Sequence, residues 1–148
     1  NEDRWHPLTI AKTNRLEDHP MEEYLLYLAR YGAFVIFVIL AQVLVAAQQV
    51  GLSTLVGNRE GLVLIGLAGR MERAANNSLL ALALVAPAVG MVHAAGTAPG
   101  LANQLVLTFL VARIFYVALY AFGIIWLRTA AWLVAFLCTA LLYLQLLL

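Results

Sequence analysis

A chain of 148 residues holds one ordinary domain, yet 64% of this one is apolar and only 11% charged, against roughly 45–50% and 25% in soluble domains. With a mean hydropathy of +0.87, the composition excludes a water-soluble globule and points to a membrane. The net charge of +1 comes with no basic tail or patch for nucleic acid, and the single Cys138 excludes an intrachain disulfide or a four-cysteine metal site.

In chain order, residues 1–19 form a polar, mixed-charge arm containing Pro7 and lacking the apolar core of a signal peptide. A helix is expected to start at Pro20, capped by Asp18 or His19, with Glu22 and Glu23 suited to its positive end. Up to Arg30 the pattern interleaves Tyr24, Leu25 and Leu28 with Glu and Arg, an interfacial lead-in. Residues 1–30 are thus a polar arm plus an amphipathic helix start, and residues 31–148 a membrane bundle.

The first span, 31–50, carries no charge and is long enough for a hydrocarbon core of about 30 Å. Gln42, Gln48 and Gln49 give it a polar side expected to face other helices. A loop over 51–61 contains the turn-like Gly57-Asn58-Arg59-Glu60-Gly61. The second helix is expected from near Leu62, past Arg70-Met71-Glu72-Arg73, to Ala95, with a kink at Pro87. After a short loop at 96–100, the third span covers 101–126 with Arg113 at its middle. A break at 127–129 is too short for anything but an antiparallel hairpin into the fourth span, 130–148. The expected fold is all-α: a multi-pass, four-helix transmembrane bundle. Orientation is a tie, since Arg59, Arg70, Arg73 and Arg128 on one side balance Arg4, Lys12, Arg15 and Arg30 on the other.

Arg113 carries the most information. A charge at the bilayer centre costs about 2.5–3.5 kcal/mol even on the lenient insertion scale, so Arg113 should face the bundle interior and a partner. Tyr116 and Tyr120 follow it at i+3 and i+7, on one helical face. Arg70, Arg73 and Asn77 make a second polar stripe on the preceding helix. Every Asp and Glu lies at or before Glu72, so Arg70, Arg73, Arg113 and Arg128 face only Glu60 and Glu72 nearby. Surplus guanidinium in a low dielectric calls for an anion, from a ligand, a lipid headgroup or another subunit. The plainer alternative has Arg70, Arg73 and Arg128 snorkelling to interfacial phosphates. His93 reads as an interfacial histidine, and Tyr24, Tyr27, Tyr31, Trp126 and Trp132 as an aromatic belt. No Ser-His-Asp set, phosphate loop or metal-ligand spacing is present, so no metal is expected.

The stretch Gly69-Arg70-Met71-Glu72-Arg73-Ala74-Ala75-Asn76-Asn77 resembles the Arg-Ala-x-x-Asn signature of the membrane-associated proteins in eicosanoid and glutathione metabolism (MAPEG). Val111-Ala112-Arg113-Ile114-Phe115-Tyr116, followed by Tyr120, Gly123 and Leu127-Arg128-Thr129, looks like that family's third helix and the turn into its fourth. The resemblance covers residues 31–148. It implies homotrimers with glutathione sites between neighbouring subunits. By the same resemblance Arg73 and Asn77 hold glutathione from the second helix, and Arg113, Tyr116 and Tyr120 contribute from the third. Arg128 is then the catalytic candidate, a cation beside sulfur that lowers the thiol pKa. One departure stands out: the family pattern continues Asn-x-x-Glu, and this chain has Leu80 where that Glu belongs.

Two functions follow from these residues. One is a glutathione-dependent transferase or peroxidase acting on lipophilic electrophiles, favoured by the surplus arginines and the tyrosine face. The other is a non-catalytic accessory or scaffold subunit of a larger membrane complex that keeps the bundle, favoured by Leu80 and the N-terminal arm.

Overall fold

The computed structural model describes residues 22–58, 60–96 and 98–148. The polar arm and the helix start expected at Pro20 lie outside them. Among the described residues, four helices have the length and apolarity to cross a membrane: α1 (Glu23–Val50), α3 (Gly66–Ala95), α4 (Pro99–Phe122) and α5 (Ile125–Leu147). A five-residue helix, α2 (Leu52–Val56), lies in the first connection. Helices are the natural outcome, because in lipid each backbone N–H and C=O must be satisfied within its own segment.

α1 runs unbroken through Arg30 and Tyr31, so the lead-in and the first span are one helix of 28 residues, about 42 Å long. That exceeds a core of about 30 Å, and the charged first turns carrying Glu23 and Arg30 project beyond it. At its other end Gln48 and Gln49 are exposed, and Gln49 Oε1 reaches the N-cap of α3 by accepting the Ile65 N–H at 3.4 Å. α3 starts at Gly66, four residues later than the pattern predicts, and passes through Pro87 without ending.

The last hairpin differs most from expectation. The chain reverses at Gly123-Ile124 and not at 127–129, because Gly123 adopts a left-handed φ of 79° that other residues resist. Its N–H bonds to the Tyr120 carbonyl and the Ile124 N–H to the Leu119 carbonyl, which closes the end of α4. Trp126, Leu127 and Arg128 consequently belong to the opening of α5.

α3 and α4 form the central pair, and α1 and α5 each pack against both of them. Small residues on α3, Ala74, Ala75, Ser78 and Ala88, let the neighbouring backbones approach closely. Val35, Val85, Val89, Val106, Phe109 and Leu142 fill the centre. Large apolar side chains such as Ile36, Phe37, Leu44 and Phe115 point outward, as befits a protein solvated by lipid.

Candidate functional site

Arg113 sits on α4 about two and a half turns before its end. It is turned fully inward, with 1% exposure. Its Nε–H donates to Tyr31 Oη on α1 at 3.0 Å, Nη1 to Asn77 Oδ1 on α3 at 2.9 Å, and Nη2 to Ser78 Oγ at 3.2 Å. The guanidinium carbon lies 4.4 Å from the Tyr116 ring centroid. One side chain thereby ties three helices together. All these partners are neutral, and no carboxylate of the described residues pairs with Arg113. Its hydrogen-bonding is satisfied on one side while its charge is not.

A second cation continues the line. The Tyr116 and Tyr120 rings meet edge to face, centroids 5.4 Å apart, and the Arg128 guanidinium lies 4.3 Å over Tyr120. Arg113, Tyr116, Tyr120 and Arg128 therefore form a ladder from the bundle interior to the α4–α5 turn. Arg128 sits in the first turn of α5, where the free N–H groups of the helix already make the potential positive. A cation there raises that potential further and favours an anion beside it.

Between α3, α4 and α5 lies a cavity of about 190 Å³, lined by Asn77, Leu80, Leu84, Phe109, Arg113, Trp132 and Phe136 among others. Its walls are apolar except at the corner where Asn77 and Arg113 meet and at Thr139. Leu80 stands at its edge, 59% exposed, on the same face of α3 as Asn77.

The arginines of the α3 stripe divide. Arg70 donates from Nε to the Ala121 carbonyl at 3.0 Å, taking up one of the free carbonyls at the end of α4. It thus clamps the end of α4 through its Nε–H. Arg73 is exposed, and its Nη1 lies 3.4 Å from where a Cβ on Gly69 would be, folded back along α3 and away from Arg113. Of the six site residues expected from sequence, five (Asn77, Arg113, Tyr116, Tyr120 and Arg128) come together, and Arg73 stands apart within this single chain.

Sequence reasoning missed two partners of Arg113. Tyr31, grouped with the aromatic belt, is 0% exposed and donates to the Ser78 carbonyl at 3.0 Å. Ser78 was hidden beside Asn77; its Oγ donates to the Ala74 carbonyl at 2.8 Å. Trp132, also read as belt, lines the cavity and stacks on Phe136. Tyr24 is buried and shares a 3.0 Å hydrogen bond with His93 Nδ1 at the opposite end of the bundle.

Fold and site together define a class: an integral, multi-pass membrane bundle with an unneutralised guanidinium inside it. The family model described as the MAPEG family matches residues 25–148, and the chain belongs to that family. The match begins at residue 25, within α1, where the motifs alone carried the likeness only from 31. No curated protein matches the chain.

Proposed function

We propose that the protein is a glutathione-dependent transferase or peroxidase that works as a homotrimer on lipophilic electrophiles arriving through the bilayer. The observation that carries this reading is Arg113: a buried guanidinium without a carboxylate, at the corner of an apolar cavity. Such a charge is expensive unless an anion completes it. The residues present suit the group. Arg113 and Asn77 offer hydrogen-bond donors to a carboxylate of glutathione, and Tyr116 and Tyr120 lead from there to Arg128. When bound, glutathione supplies a thiolate nucleophile. Arg128 holds the negative charge at sulfur, aided by the start of α5, since a cation next to a thiol favours its ionised form. The apolar walls exclude water and admit an apolar partner from the lipid side. Arg73, exposed on its own subunit, would on this reading complete a neighbour's site.

Two variants test the division of labour. Arg128→Ala should lower bound-thiolate absorbance and reduce turnover on the order of a hundredfold, while leaving glutathione affinity nearly intact. Arg73→Ala should mainly weaken binding in calorimetric titration. Equal loss of both properties in both variants contradicts the assignment.

Leu80 favours the second reading, a non-catalytic accessory subunit within a larger membrane complex. At the edge of the cavity it can neither accept a hydrogen bond nor balance an arginine. Absence of glutathione binding by the wild type at millimolar ligand would establish that alternative over the first.

A further inference from the structure

Arg113 needs a fixed direction as much as a fixed place, because a guanidinium grips a carboxylate with N–H groups that lie in one plane. An arginine side chain turns about several torsions and has no rigidity of its own to supply that direction. The Tyr116 ring, 4.4 Å from the guanidinium carbon, attracts the charge but sets no donor against an acceptor. Two hydroxyl oxygens do so. Nε–H donates to Tyr31 Oη at 3.0 Å, and Nη2 donates to Ser78 Oγ at 3.2 Å.

A hydroxyl can turn either its proton or a lone pair toward a neighbour, and here the choice is made elsewhere. Tyr31 Oη gives its proton to the Ser78 carbonyl at 3.0 Å, and Ser78 Oγ gives its own to the Ala74 carbonyl at 2.8 Å. Both oxygens therefore present lone pairs to Arg113, and both are tied to the backbone of α3. The Tyr31 ring is held in turn edge to face on Phe109 of α4, centroids 4.8 Å apart. Tyr31, Ser78 and Arg113 are all buried within one chain, so each subunit carries the arrangement whole, whatever packs beside it. With Nη1 donating to Asn77 Oδ1 at 2.9 Å, one N–H is left on each terminal nitrogen, at the end of the group away from Nε.

We infer that Tyr31 is a positioning residue of the site: its hydroxyl, pinned to α3, fixes the plane from which Arg113 takes a carboxylate of the ligand. This deepens the glutathione reading and rests on it. Helix α1 thus serves the site through Arg113 and not by touching the ligand. In full-length protein in detergent, glutathione affinity is measured by calorimetry and bound thiolate by absorbance at saturation. Tyr31→Phe should weaken binding at least about tenfold, the scale of one hydrogen bond to a charged group, with the thiolate fraction at saturation unchanged. In an Arg113→Lys background, where no Nε–H remains, the same change should have no further effect on affinity. A tyrosine that merely held the bundle together would weaken binding equally in both backgrounds, and that result, or unchanged affinity in Tyr31→Phe, overturns the inference. A second measurement needs neither ligand nor double variant. In protein labelled with nitrogen-15 arginine, the Arg113 Nε–H should exchange slowly with water in the wild type and faster in Tyr31→Phe. If Arg113→Lys does not fold, this signal decides, and equal exchange in the two proteins refutes the role of Tyr31. Wild-type protein that binds no glutathione removes the glutathione reading, while slow exchange lost in Tyr31→Phe still upholds Tyr31 as the residue that holds Arg113 in place.

Discussion

The hydroxyl of Tyr31 accepts a hydrogen bond from Arg113 and gives one to the Ser78 carbonyl, and neither partner has water to fall back on. Tyr31→Phe keeps the ring and its edge-to-face packing on Phe109 while removing both bonds. The variant should lose about 1.5–3 kcal/mol, the range for a hydrogen bond to a charged group, measured by unfolding in mixed micelles of rising denaturing detergent. A loss within experimental scatter would mean that the guanidinium finds another acceptor. Residue by residue, the sequence disclosed charges far better than their neutral partners. The inward turn of Arg113 follows from the penalty for exposing it to lipid. Tyr31 looks like any aromatic residue at the head of a span, and nothing in a one-dimensional pattern distinguishes a belt tyrosine from one that crosses to another helix. Ser78 is similarly mute, since a lone serine in a membrane helix usually bonds its own backbone, as this one also does.

Among the elements, the α4–α5 hairpin sets the position of Arg128, and Gly123 sets the hairpin. Gly123→Ala forces a side chain into a left-handed conformation at about 1–2 kcal/mol, in a spot where the Arg70 side chain passes 3.9 Å away. The same detergent titration should register that loss, and the thiolate signal attributed to Arg128 should fall with it. Stability lost with the thiolate signal unchanged would separate the turn from the site. The one-dimensional pattern puts the break at 127–129, where Arg128 interrupts the apolar run. In lipid the decisive signal is backbone conformation: the glycine able to take positive φ ends the helix, and a polar residue can sit within the first turn of the next. The long apolar runs, by contrast, fixed the number and order of the membrane helices with little ambiguity.

For the molecule as a whole, four spans put the α1–α3 and α4–α5 connections on one side and the α3–α4 connection on the other. Single cysteines introduced by Asn58→Cys and Ile124→Cys should react with an impermeant maleimide from the same side of sealed vesicles, and Ala98→Cys only from the opposite side. Native Cys138 is buried and should stay silent. Labelling of all three from one side would refute the topology. Arg113 lies about 13 Å from the α4–α5 end of a helix about 36 Å long. An anion that reaches it from that end has travelled roughly a third of the way through the electric field across the membrane. Each elementary charge is worth about 2.3 kcal/mol per 100 mV over the full drop, so a monovalent anion at Arg113 gains or loses about 0.8 kcal/mol. The ligand affinity of this bundle should accordingly vary about fourfold per 100 mV in energised vesicles, tightening when the potential drives anions inward from that end, so that the state of charge of the membrane itself sets how full the site is.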